Sequence, residues 1–201
     1  PMGLNKTLLA VVSAVIATSS ISIANAEDGI NMEAGLGGQC MIFDINSAAG
    51  LGDTMCGVSG TATAFFDLTD DGSFLLGVGV DGFYSLSSAD GSAGGIDSKW
   101  DGNYIGGHVK ARMPLSDALS LELHTGYYSF NSEIELSAGG ASATEDMDGS
   151  MWQVGAGLNW MMDDEWVLNL GYRYGTADVT LVGISGEIDS SVIDANISVK
   201  F

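Results

Sequence analysis

Two histidines and two cysteines are the residues of this 201-residue chain best suited to chemistry. His108 and His124 could hold a metal, or one could serve as a base. A zinc site needs further ligands, and Glu122 is the only evident one nearby. Two hydrogen-bonded imidazoles are the simpler expectation. Cys40 and Cys56 make an even count, which in an oxidising compartment predicts a disulfide; two independent free thiols are the alternative. The bridge would close the intervening loop, worth about 3 kcal/mol in the chain-entropy account. Two cysteines cannot make a four-Cys zinc site. The stretches "TDDGS" (69–73) and "DMDGS" (146–150) lack the spaced ligands and closing Glu of a calcium loop and read as turns. "GLGG" (35–38) and "GVGVDG" (77–82) lack the strand-to-helix setting of a phosphate cradle. The expectation is no catalytic residue, no cofactor and no metal.

These side chains must be positioned by something, and composition narrows what. Six Lys+Arg stand against 26 Asp+Glu, so the chain is strongly acidic. That charge repels nucleic-acid phosphates and excludes a polybasic membrane contact. Glycine is abundant at 29 residues while proline is scarce at 2, which with regular alternation suggests strands and turns. Residues 1–26 read as a secretory signal peptide: Lys6, the apolar "TLLAVVSAVIAT", and Ala24-Asn25-Ala26 before an acidic pair. Pro1 before Met2 plays no part in that pattern. Residues 27–201 would form one domain, and they contain no apolar run long enough for a membrane helix.

The mature chain divides into eight runs in which apolar residues recur at every second position. Val58, Ala62, Ala64 and Phe66 share one face; so do Leu119, Leu121, Leu123 and Tyr127, and so do Ile193, Ile197, Val199 and Phe201. Short turns fall at 69–72, 114–117 and 162–165, and longer polar links at 44–57, 88–99 and 138–149, with a tighter hairpin at 182–187. This rhythm predicts an all-β, antiparallel, eight-stranded up-and-down transmembrane barrel. A turn centred on Ser116 would set Lys110 opposite Glu122 and His108 opposite His124. A turn centred on Asp164 would set Trp160 opposite Leu168 and Leu158 opposite Leu170. The phase slips at Phe130, Ile134 and Leu136, and at Val179 and Leu181, which implies bulges or extensions beyond the membrane.

The apolar face carries Trp152, Trp160, Trp166, Tyr172, Tyr174 and Phe201 near the ends of runs, as an aromatic girdle does around a hydrocarbon band. The other face carries Glu33, Lys110, Arg112, Glu122, Arg173, Asp194 and Lys200. A soluble barrel would put the apolar face inward; here lipid is expected outside and a paired charge network within. Lys200 should approach Glu33 where the first and last strands close.

The signal peptide, the dyad runs, the loop rhythm and the alternating C-terminal strand ending at Phe201 resemble the small eight-stranded outer-membrane barrels: the outer-membrane protein A transmembrane domain, its X-type relative and the opacity-family porins. The resemblance implies a monomer in a bacterial outer membrane with both termini periplasmic. It implies contact with outer-membrane lipid and lipopolysaccharide, and with the barrel-assembly machinery through the C-terminal strand. A host or surface ligand would be met by the loops, in a structural, adhesive or envelope-integrity role. A narrow porin-like channel is the alternative, kept open by lumen glycines Gly77, Gly79, Gly155, Gly157 and Gly171. Some barrels of this kind modify lipid A, but "HTGYYSFN" does not reproduce the His-x-Ser-Asn pattern of those enzymes. A non-enzymatic role is expected.

Overall fold

The computed structural model describes residues 30–44, 53–69, 73–181 and 184–201. The signal-peptide reading and parts of the expected links at 44–57, 69–72 and 182–187 lie outside them. Nine antiparallel strands fill the described residues: β1 (Ile30–Asp44), β2 (Thr54–Asp67), β3 (Leu75–Ser85), β4 (Ala89–Ala93), β5 (Ile96–Pro114), β6 (Leu119–Ala138), β7 (Ala141–Met161), β8 (Trp166–Leu181) and β9 (Ile184–Lys200). Consecutive strands pair with one another, except β3 with β4. The ring closes because β9 also pairs with β1, and β5 pairs with β3 as well as β4. Nine strands therefore make eight staves. β3 pairs with β5 as far as Tyr84↔Asn103, and β4 takes over at Ala89↔Trp100. Residues 85–88 thus stand against 101–102 alone, and the two extra residues leave the in–out parity unchanged.

The outer surface of the wall is apolar and aromatic. Trp152, Trp160, Trp166, Tyr172, Tyr174 and Phe201 all project outward and exposed, and Tyr127 joins them opposite Trp152. Exposed Val154 and Leu158 lie between Trp152 and Trp160. Eight strand residues at a tilt of 35–45° rise by roughly 20 Å, close to the hydrocarbon height of an outer membrane.

Turn chemistry sets the register. At the β5–β6 turn, the Leu115 and Ser116 amides donate to the Leu119 carbonyl at 2.8 and 3.0 Å, and the Leu119 amide donates to Ser116 Oγ at 3.2 Å. This centres the turn on Asp117 rather than Ser116, a shift of two partners: Arg112 faces Glu122, Lys110 faces His124 and His108 faces Gly126. The side-chain faces survive because the shift is even. In the β7–β8 turn, Asp163 Oδ1 accepts the amides of Glu165 and Trp166 at 2.9 and 2.7 Å. Trp160 then faces Leu168 and Leu158 faces Leu170, as expected.

The links expected at 88–99 and 138–149 are largely strand. β4–β5 and β6–β7 are two-residue hairpins turning at Gly94–Gly95 and Gly139–Gly140, with φ of 62°, 81°, 59° and 87°. Two successive left-handed residues match the right-handed twist of the flanking strands, and both tips repeat "SAGG". The β6–β7 register runs unbroken from Leu119↔Trp160 to Ala138↔Ala141, and β8–β9 from Trp166↔Val199 to Leu181↔Ile184. Hence no bulge accompanies the phase slip at Phe130, Ile134 or Val179; the side chain of Leu181 lies outside the described residues. The strands extend, and the buried face becomes the apolar one. Below, lipid surrounds the wall; above, water does, so the apolar residues turn inward.

Candidate functional site in the barrel lumen

The lumen is filled in two storeys. In the lower one, β5 and β6 present Arg112 and Glu122 face to face, while closure of the ring brings Glu33 from β1 across to them. Arg112 donates to Glu122 Oε2 from Nη2 at 2.8 Å and from Nε at 3.2 Å. It grips Glu33 with both terminal nitrogens, the Nη2–Oε2 contact being 2.9 Å. The guanidinium also lies over the Phe65 ring, 4.1 Å from its centroid. Lys110 Nζ is 3.1 Å from Glu122 Oε1, and Asn159 Nδ2 donates to Glu122 Oε2 at 3.1 Å. All of these carboxylate oxygens are paired, which a buried charge requires.

Lys110 and Glu122 thus meet diagonally rather than directly across the ladder. Lys200 stands at the expected register with Glu33. Its ammonium nevertheless contacts Met161 Sδ at 3.3 Å, and the Glu33 carboxylate is taken by Arg112. A planar fork matches a carboxylate better than a flexible ammonium does.

Above this network lies a residue that the sequence reading passed over. Asp81, the acid of "GVGVDG", points inward from β3 and gathers four partners: His108 Nδ1 at 3.1 Å, Tyr128 Oη at 2.9 Å, Arg173 Nη1 at 3.5 Å and His124 Nε2 at 3.7 Å. Strict alternation with outward Val78 and Val80 was the signal that could have found it. His108 Nε2 meets Thr63 Oγ1 at 2.8 Å, and His124 Nε2 meets Tyr128 Oη at 2.7 Å. The two imidazoles do not oppose each other on the ladder, but their ring centroids lie 5.2 Å apart. Ser129 sits on the outward parity of β6 while His124 faces in, so the two cannot act together.

Arg173 completes this level. Its Nη2 lies 2.8 Å from Gln39 Oε1, 3.3 Å from Tyr104 Oη and 3.2 Å from Asp194 Oδ1. Tyr104 Oη donates to the same Gln39 oxygen at 2.8 Å. Among the described residues, no group of three or more His, Cys, Asp or Glu has a geometry that would hold a metal.

The lumen glycines make space that neighbours fill. A Cβ on Gly77 would strike the Phe65 ring, one on Gly79 would strike the Ala62 carbonyl and His108, and one on Gly155 would strike the Tyr172 carbonyl and the Arg173 side chain. On Gly171 it would meet the Asp194 carboxylate. What remains is a pocket of about 50 Å³ among Thr61, Lys110, Glu122, His124, Asn169 and Asn196, bordered by Gly157 and Gly171. It suffices for about three or four waters. Thr61 Oγ1 and Arg173 Nε, both on its wall, have no protein partner.

The upper storey is apolar. Met41, Phe43, Met55, Phe83, Trp100, Tyr104, Tyr128, Phe130, Ile134, Met147, Met151 and Val192 form one buried cluster inside the extended strands. The Phe43 ring lies tilted at 4.6 Å from Trp100 and 6.1 Å from Phe130, and Tyr104 lies tilted at 4.8 Å from Tyr128. The tyrosine rings belong to the apolar cluster and their hydroxyls to the polar network below. On the outer side of the same wall, Cys40 and Cys56 are directly opposed on β1 and β2 and joined as a disulfide, with Cα atoms 4.1 Å apart.

This architecture is shared with solved structures of low sequence identity. Neisserial surface protein A matches with a TM-score of 0.50 and 14% identity, over 87% of this chain and 98% of that one. Ail, the attachment invasion locus protein of Yersinia pestis, matches at 0.52 and 13%, over 86% and 99%. OprG of Pseudomonas aeruginosa, an outer membrane protein, matches at 0.50 and 12%, over 86% and 96%. These likenesses concern the fold alone. A comparison with curated protein sequences finds no match. Residues 11–201 match the outer membrane protein beta-barrel domain. With its closed ring, lipid-suited exterior and paired lumen charges, the chain belongs to the outer membrane protein beta-barrel family, whose members sit in the bacterial outer membrane.

Proposed function

We propose that the protein is a plugged, non-enzymatic barrel that anchors two long β-hairpins at the cell surface for structural or adhesive contact. The observation that carries this reading is the double occlusion of the lumen. Tyr104, Tyr128, Phe130, Met41 and Met151 are all fully buried where a passage would have to run. Beneath them, Arg112 spans from β5 to Glu33 on β1, and Glu122 secures it. An eight-stranded ring leaves little more room than its own side chains need. Both termini then face the periplasm, on the side of the short 115–118 and 162–165 turns. The exterior suits outer-membrane lipid and lipopolysaccharide. The β9 strand, with outward Ile193, Ile197 and Phe201, suits recognition by the barrel-assembly machinery. A ring without free edges within the membrane zone supports a monomer.

The runner-up is a narrow channel, favoured by the pocket beside Gly157 and Gly171. Planar-bilayer recordings of the purified barrel separate the two. The expected trace is silent. A steady conductance that disappears in Gly157→Leu would replace the plugged reading with the channel.

A further inference from the structure

We propose that Asp81, His108 and His124 form an acid-sensitive latch, which holds the apolar plug closed with one proton on the histidine pair and releases it on taking a second. The three meet where the two storeys join, and the structural or adhesive role makes no use of them. Asp81 Oδ1 lies 3.1 Å from His108 Nδ1, and Asp81 Oδ2 lies 3.7 Å from His124 Nε2. Tyr128 stands between them: its hydroxyl is 2.9 Å from Asp81 Oδ2 and 2.7 Å from His124 Nε2. A phenol has one proton to give. Here it goes to the carboxylate, so the His124 Nε2–H donates to the phenol oxygen. Tyr128 is thereby tied down at its hydroxyl, while its ring lies in the apolar cluster, 4.8 Å from that of Tyr104. A change of charge on the histidines acts directly on the plug.

The charges at this level fix the proton count. Asp81 from β3, Glu122 from β6 and Asp194 from β9 face Lys110 from β5 and Arg173 from β8, around the pocket that His124 also lines. β1, β2 and β7 contribute the uncharged Gln39, Thr63 and Asn159. Below, Arg112 and Glu33 cancel each other. The acids exceed the bases by one, so a single imidazolium makes the level neutral. A second proton finds no uncompensated carboxylate. His124 stands directly opposite Lys110 on the β5–β6 ladder, and the two imidazole centroids are 5.2 Å apart. Both imidazolium ions and the Lys110 ammonium would then face one another in a lumen that screens them poorly.

Relief lies in one direction. A charged His124 closes its gap to Asp81 Oδ2 and displaces the Tyr128 hydroxyl, because a carboxylate holds a cationic donor more strongly than a neutral one. The freed O–H has only Arg173 Nη1 at 3.5 Å, which is itself a donor. Around it stand Phe83, Phe130 and Met151, which offer a hydroxyl little. An O–H donor buried without a partner is costly, so water follows it into the upper storey. The open form accommodates the second proton and the closed form does not, hence acid shifts the equilibrium toward opening.

The test uses the full mature barrel, labelled with fluorotryptophan, in phosphatidylcholine nanodiscs. Trp100 is buried in the plug, and its fluorine resonance is identified by its loss in Trp100→Phe. The shift of that resonance between light and heavy water reports water at the ring. The expected result is no shift at about pH 7.5 and, at about pH 5, most of the shift that the urea-unfolded chain shows. His124→Gln keeps an amide donor for Tyr128, and His108→Gln keeps one for Asp81. Each, checked for folding by heat-modifiable mobility, should leave Trp100 dry at both pH values, because neither variant can hold two imidazolium charges. A wild-type Trp100 that stays dry in acid, or is already wet at neutral pH, overturns the latch. So does a histidine variant that wets in acid as the wild type does. The latch rests on the plugged reading, yet the two fail separately: current through the barrel at neutral pH defeats the plug, whereas the acid response of Trp100 decides the latch.

Discussion

The lower and upper storeys of the lumen share strands such as β6, whose register with β7 runs unbroken through both, yet their chemistry is opposite. Along β6 the inward residues read Glu122, His124, Tyr128, Phe130 and Ile134 as the strand rises. The outward ones read Leu121, Leu123 and Tyr127, then Glu133 and Glu135. Both faces change polarity near Tyr127–Tyr128, where the aromatic girdle marks the end of the hydrocarbon. The wall cannot bury apolar residues against lipid and also gain from the hydrophobic effect there, since lipid is as apolar as leucine. Inside the membrane, specificity of the filling thus comes from ion pairs and hydrogen bonds. Above it, water restores the drive to bury phenylalanine and tryptophan, and the barrel top packs like the core of a soluble protein.

Breaking the lower storey should have the largest effect. Arg112→Met leaves Glu33 and part of Glu122 uncompensated, with an expected loss of roughly 3–5 kcal/mol in urea unfolding from vesicles. Adding Glu33→Gln to that variant should restore much of the loss, because Glu122 keeps Lys110 and Asn159. In the upper storey, Phe130→Ala removes a fully buried ring, for about 3 kcal/mol or somewhat more by the same assay. No isolated charge remains there, so no second substitution of the kind that rescues Arg112→Met is available. The switch of outer solvent is tested by placing one arginine at two heights on β6. Leu123→Arg, in the lipid zone, should cost about 2–4 kcal/mol. Ser137→Arg, near the hairpin tip, should change stability by less than about 0.5 kcal/mol. Equal penalties at both heights would show that the surroundings do not change between them.

Much of this molecule was legible because a strand's period is local. Alternation at Leu119–Tyr127 and Ile193–Phe201 marks which residues face lipid, whatever their partners turn out to be. It also put Arg112, Glu122, Arg173 and Asp194 on one inner surface. Partner choice was less legible. The β5–β6 turn depends on how the Ser116 hydroxyl and the Leu119 carbonyl bond, and a difference of two residues gave Glu122 Arg112 as its direct neighbour. The Gly-Gly hairpins at 94–95 and 139–140 carried a readable turn signal, but polar composition concealed the strands around them. Reading Phe130 and Ile134 as part of the same pattern requires knowing that the outer solvent changes along a single strand.

The sequence alone determined the periodicity, the two-faced wall and the pool of charges enclosed by it, because each follows from neighbours a few residues apart. Only closure of the ring decided that Glu33 meets Arg112 seventy-nine residues away, and that Asp81 becomes the centre of the polar network. Those contacts cross an interior whose diameter and stagger are set by all eight staves at once, and no single stretch of chain encodes them.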